Sequence, residues 1–221
     1  MKRFALTLQA PYEMTTARLD AERLSDILSR AVIIVMFSFM AVRFGADFIQ
    51  TGRLTGLLLL VSEMLVVALT VLRRAAAAVD RSVRARLLTT ISLLGPPLVQ
   101  PAHVAALLPQ SATVAASIFG LAIVIAGKVT LGRSFGLMPA NRGIVSSGVY
   151  RVVRHPIYLG YLITHVAFLF ATPSAWNIAI LVVGDTALLL RAVCEELTLA
   201  RDAQYREYQQ LVRWRVCPGL F

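Results

Sequence analysis

The chain has 221 residues, 57% of them hydrophobic and only 15% charged, with a mean hydropathy of +0.71. A soluble domain keeps about a quarter of its residues charged, so a soluble enzyme is excluded and the composition is that of an integral membrane protein. A formal net charge of +10 would suggest nucleic acid in a soluble protein. Here it points first to basic loops held on the cytoplasmic side against anionic lipid, with no nucleic-acid partner.

Residues 1–26 mix charges with polar groups, and their short apolar run at 4–8 is too small for a secretory signal. Leu19, Leu24, Ile27 and Leu28 fall at roughly helical spacing, which predicts an interfacial lead-in helix over 14–29. Apolar runs then predict membrane segments at 27–42, 54–72, 87–108, 112–129, 157–171 and 176–190. Gly95-Pro96-Pro97 and Pro101 must kink or break the third. The fifth is short before Thr172-Pro173, so the last two segments could form a helical hairpin that dips in and returns. Ala75–Ala78 reads as a helix extension into a loop.

No segment has the strict alternation of a barrel strand, so the fold class is all-α: a polytopic helix bundle of about six segments. Alternate connecting regions hold 20 of the 22 Lys and Arg residues. By the positive-inside rule both termini are expected in the cytoplasm. Arg outnumbers Lys 20 to 2, a bias of GC-rich, bacterial coding sequences, which makes the bacterial inner membrane the expected location. Cys194 and Cys217 fall in the predicted cytoplasmic tail, where thiols stay reduced.

Polar residues are unevenly placed. In the first 125 residues Glu63 is the exception within its apolar run. A carboxyl there must face the bundle interior or water, either as a buried hydrogen-bonded group or as a ligand; the sequence leaves both open. His103, near the outer end of the third segment, reads as interfacial. From Leu131 onward glycines at 132, 136, 143 and 148 permit positive φ in a long loop that leads into Arg154-His155-Pro156-Ile157-Tyr158-Leu159-Gly160. Pro156 suits the first turn of a helix, which puts His155 near the N-cap and Tyr158 in the first turn. Such a terminus, flanked by Arg154, attracts anionic groups.

A second concentration follows the sixth segment. Arg191, Glu195 and Leu199 share a helical face, with Arg191 and Glu195 spaced as an ion pair, and Glu196 lies beside them. Tyr205, Tyr208 and Val212 make another stripe. The organisation expected is a membrane scaffold over 1–130 and a cofactor-binding, catalytic region over 131–221.

Together, Ser147-Gly148-Val149-Tyr150, Arg154-His155-Pro156-x-Tyr158-x-Gly160, Arg191-x-x-x-Glu195-Glu196-x-x-Leu199 and Tyr205-x-x-Tyr208 resemble the isoprenylcysteine carboxyl methyltransferase family and the related phospholipid methyltransferases. The resemblance covers 131–221. It implies a membrane-embedded methyltransferase that uses S-adenosylmethionine and no metal. A lipophilic acceptor bearing a carboxylate, amine or thiol would enter from the bilayer. Carried over by position, His155, Tyr158, Leu159, Gly160, Glu195 and Glu196 would bind the cofactor. Arg154 or Arg191 would orient the acceptor, since a guanidinium matches carboxylate or phosphate bidentately, and for an amine or thiol Glu196 or Tyr158 could serve as a base.

The ending Tyr208-x-x-x-Val212-x-Trp214-Arg215-x-x-Pro218 also resembles NADPH-dependent sterol reductases. Those carry Asn where this chain has Ile157 and Asp-Glu-x-x-Cys where it has Glu195-Glu196, and they are longer, which favours the methyltransferase. A non-enzymatic membrane partner protein is the third reading.

Overall fold

The computed structural model describes residues 31–32, 34–72, 78–79, 82–134, 140–141 and 144–221. The chain divides into two units, 1–39 and 40–221. The predicted lead-in helix at 14–29 lies outside the described residues, as do Gly136 and Gly143. The described chain is helical: α1 (Ile34–Thr51), α2 (Leu54–Leu72), α3 (Val83–Leu98), α4 (Gln110–Leu131), α5 (Pro156–Ala171), α6 (Ala175–Leu199) and α7 (Ala203–Leu211). One antiparallel pairing of two-residue strands, β1 (Ala78–Val79) with β2 (Ala140–Asn141), joins the two loops that contain them. Ala78 is thus in a strand, whereas the sequence suggested an extended helix.

Among the described residues three helices, α1, α4 and α6, are long and apolar enough to cross a membrane, with 18, 22 and 25 residues. At 1.5 Å per residue the last two span roughly 33 and 38 Å, enough for a hydrocarbon layer about 30 Å thick. Three of the six expected segments thus have, among the described residues, a helix of that length. α5 has 16 residues, or roughly 24 Å. It starts at Pro156 because Pro supplies a helical φ and needs no donor at N1, and it stops before Pro173.

The third predicted segment is the clearest departure. Instead of running to 108, α3 ends at Leu98, one residue after Pro97. The chain then proceeds without regular structure to Pro109. Its backbone groups are met by side chains, as an apolar setting demands. Asn177 at the start of α6 exchanges two hydrogen bonds with the backbone of Gln100, at 2.9 and 2.8 Å. Trp176 Nε1 donates to Leu98 O at 2.9 Å and Arg53 to Ala102 O at 3.0 Å, while Arg43 of α1 donates to Pro97 O.

α4 packs on α5 and on α2, and α3 packs on α6. Glycines permit the closest crossings. A Cβ on Gly120 would stand 2.8 Å from Gly160 O, and one on Gly160 would stand 2.6 Å from Gly120 O, so the backbones of α4 and α5 meet there. Val124, Ile157, Tyr158, Tyr161, Leu188, Ala192 and Val216 fill the core between α4, α5, α6 and the C-terminal segment. That core ends at the cytoplasm-predicted ends of α5 and α6, where the polar residues gather.

Candidate functional site

The pre-proline position sets the start of the site. His155, the N-cap of α5, is held at φ −126° and ψ 63°, with no side-chain cap bond; the residue before a proline is steered out of the helical region. Its imidazole is thereby free to point away from the helix. The C-terminal segment lies across this end: Arg154 N–H donates to Trp214 O at 2.9 Å and His155 N–H to Arg215 O at 2.7 Å.

α6 continues beyond the apolar run that ends at 190 as far as Leu199, in keeping with the helical spacing of Arg191, Glu195 and Leu199. Arg191, Glu195 and Glu196 therefore belong to the last turns of one continuous helix. Successive residues on a helix are rotated by about 100°, so the two glutamates face different partners. Glu196 is buried. Its Oε2 accepts from Arg154 at 3.0 Å, Arg215 Nε at 2.8 Å and Gln209 at 3.4 Å, and its Oε1 lies 3.3 Å from His155 Nε2. Glu195 Oε1 accepts the Tyr158 hydroxyl at 2.7 Å and lies 3.2 Å from Arg191. Its Oε2 comes no nearer than 3.7 Å to His155 Nδ1.

The rings are ordered as well. His155 and Tyr158 stack at 5.3 Å with planes 15° apart, and the Arg191 guanidinium lies 5.5 Å from the Tyr158 ring centre. Two buried guanidinium atoms, Nε of Arg154 and Nε of Arg191, have no hydrogen-bond partner. Unpaired buried donors of this kind are rare in folded proteins.

Behind this centre α7 supplies the second stripe. Tyr205, Tyr208 and Val212 are buried against Tyr150, and the Tyr208 hydroxyl donates to Tyr150 O at 2.7 Å. Burial pushes the phenols of Tyr150, Tyr205 and Tyr208 well above their ordinary value of 10.0, with neighbouring glutamates adding to the shift. Gly148, at φ +56°, lets the chain turn into this cluster.

Of the residues expected to act together, Arg154, His155, Tyr158, Arg191, Glu195 and Glu196 converge. Leu159 and Gly160 do not join them. Leu159 lines an apolar groove of about 380 Å³ with Leu162, Ile163 and Val166. The missing side chain of Gly160 accommodates α4. The sequence reading missed Arg215 and Gln209, which reach Glu196 from the tail, and it missed His165 and Asp185. The last two carried a usable signal, since each is an ionisable residue inside an apolar run. His103 is exposed, and both cysteines are free thiols.

Fold and site define an integral membrane protein whose apolar helices end in a buried, carboxylate-centred polar cluster. Residues 112–201 match the model of the Isoprenylcysteine carboxyl methyltransferase (ICMT) family, the family that the motifs resemble. That match implies a membrane methyltransferase. No curated protein matches the chain.

Proposed function

We propose that the chain is an S-adenosylmethionine-dependent methyltransferase whose lipophilic acceptor, a carboxylate, amine or thiol, reaches it from the bilayer. The observation that carries this reading is the junction of α5 and α6, where Tyr158, Arg191 and Glu195 meet beside His155 and Glu196. The donor set fits the cofactor: an incompletely engaged carboxylate on Glu195 for ammonium or ribose hydroxyls, and a stacked His155–Tyr158 pair for a flat ring. When bound, that group supplies a sulfonium-activated methyl. The protein then has to position the acceptor in line and keep water out.

Roles divide by connectivity. Glu196, engaged by Arg154, Arg215, Gln209 and His155, organises the site and keeps the tail closed over it. Glu195 and His155 bind the cofactor. Arg191 also lines a cavity running into the apolar layer, which makes it the arginine that meets the acceptor, while Arg154, tied to Glu196 and to Arg213 O, holds the scaffold. The distribution of Lys and Arg supports cytoplasmic termini and a site facing the cytoplasm, and the Arg bias supports a bacterial inner membrane.

The test is a titration of purified protein with S-adenosylhomocysteine and with NADPH. Tight binding of the first alone is expected. Binding of NADPH alone would favour the reductase, and binding of neither in a folded sample would leave the membrane-partner reading.

A further inference from the structure

Asp185 lies six residues before Arg191 on α6, about 9 Å along the helix at 1.5 Å per residue, within the apolar layer. Its Oδ1 is 2.6 Å from Nδ1 of His165 on α5, and Nε2 of His165 is 3.5 Å from Oε1 of Glu63 on α2. Placed between two carboxylates, the imidazole is held as a cation with Nε2 directed at Glu63, and it has no lone pair to offer. Lys128 of α4 donates to Ser62 O at 3.4 Å and interacts with the charge of Glu63. Two carboxylates thus meet two cations, and the group is balanced in charge.

Its members are not equally enclosed. The side chains of His165 and Glu63 are 5% exposed, whereas that of Asp185 is 18% exposed. His165 engages Oδ1, and among the described residues no group donates to Oδ2 of Asp185. Asp185 lines a cavity of about 40 Å³ between α3, α5 and α6, whose walls Leu93, Pro96, Ile157, Leu181 and Leu188 make apolar. Arg191 lines the same cavity. So does Tyr161, which is more than nine-tenths buried and whose hydroxyl has no hydrogen-bond partner. A single water needs roughly 10–15 Å³ of such space, so the cavity admits a group of a few atoms.

We propose that Asp185 determines specificity: the acceptor carries a neutral hydroxyl on its apolar body, about 9 Å from the atom that is methylated, and this hydroxyl donates to Oδ2 of Asp185. The proposal rests on the methyltransferase reading above, in which Arg191 meets the acceptor. A plain hydrocarbon chain entering the cavity would displace any water from Oδ2 and leave a carboxylate oxygen without a donor in the apolar layer, which is costly. An ammonium group would add a charge to a cluster already balanced. What Oδ2 lacks is a donor, and a hydroxyl supplies one without a charge.

The experiment uses membranes from cells that express the full chain, incubated with S-adenosylmethionine carrying a deuterated methyl group, and identifies the labelled lipid by tandem mass spectrometry. The expected product bears a hydroxyl on its chain, remote from the labelled methyl. Its unmethylated precursor, purified from the same membranes, then serves as substrate for the purified protein. Asp185→Leu should raise the KM for this lipid about tenfold or more and leave kcat within about threefold, the mark of an interaction that binds substrate and transition state alike. Its S-adenosylhomocysteine affinity should stay within about twofold of wild type, which also reports that it folds. The near-isosteric Asp185→Asn keeps an acceptor oxygen without the charge and should raise KM by less; it carries the test if the leucine variant does not fold. A labelled lipid without a hydroxyl would overturn the proposal, as would an unchanged KM in both variants. A loss carried by kcat or by S-adenosylhomocysteine affinity would overturn it too, since Asp185 would then serve only to hold His165. A wild-type protein that does not bind S-adenosylhomocysteine would instead refute the methyltransferase reading and the proposal with it.

Discussion

The hydroxyl of Tyr158 donates to Oε1 of Glu195 across 2.7 Å, joining the first turn of α5 to the last turns of α6. This bond and the Arg191 pair engage one oxygen of Glu195 and leave Oε2 facing His155 from 3.7 Å. Glu195→Gln keeps the shape and an acceptor oxygen for Tyr158 but removes the charge that would hold an ammonium. S-adenosylhomocysteine affinity should fall about tenfold or more, equivalent to roughly 1.4 kcal/mol, with little change in thermal stability. Isothermal titration beside a melting curve checks both.

Glu196→Ala should behave differently. Its carboxylate is the shared acceptor of Arg154, Arg215 and His155, and it is buried. Removing one side of a buried charge cluster leaves the remaining charges uncompensated, at a cost of about 3 kcal/mol. The variant should melt several degrees lower and be cleaved faster by protease within 212–221, because Glu196 holds that segment through Arg215. Unchanged stability in Glu196→Ala would mean that the tail is held by its backbone bonds alone.

Where the sequence read well, a local rule governed. Pro156 set the start of α5, the Arg191–Glu195 spacing set an ion pair, and the stripe of Tyr205, Tyr208 and Val212 set the buried face of α7. Where it read poorly, the deciding contact was distant in sequence. Residues 99–108 are apolar enough to extend the third segment to 108. Nothing local shows that Asn177 and Trp176 wait to satisfy their backbone. Glu63 was legible as costly, but its purpose was not, because its counterpart His165 lies on another helix and was itself passed over. Arg215 was likewise read as part of a tail motif, since only the fold brings it to Glu196.

The α4–α5 crossing gives a prediction about stability alone. Gly120 and Gly160 oppose each other so closely that a Cβ on either would meet a backbone carbonyl oxygen at 2.8 or 2.6 Å. No flexible side chain can yield there, so the helices must separate. Gly160→Ala should destabilise the protein by about 1–3 kcal/mol, the usual cost of overpacking. Gly45→Ala, where a Cβ would meet nothing within 4 Å, should leave the melting temperature nearly unchanged. Melting both variants in the same detergent tests the contrast.

The tyrosine cluster gives a prediction about pH. Burial raises the phenols of Tyr150, Tyr205 and Tyr208 above their ordinary value of 10.0 in the folded protein, so the folded state holds these protons more tightly than the unfolded one. The sign follows from linkage: stability is fully present below pH 10 and is lost as pH rises above it, when the unfolded chain releases protons that the folded chain retains. Tyr208→Phe removes one of the three groups and also the 2.7 Å bond to Tyr150 O, leaving that carbonyl without this donor at a cost of about 1–3 kcal/mol. The variant should therefore be less stable than wild type at pH 7 and should lose less further stability between pH 9 and pH 11. Denaturation at a series of alkaline pH values, followed by tyrosinate absorbance, measures both. A steeper alkaline loss in Tyr208→Phe than in wild type would show that Tyr208 does not carry this dependence.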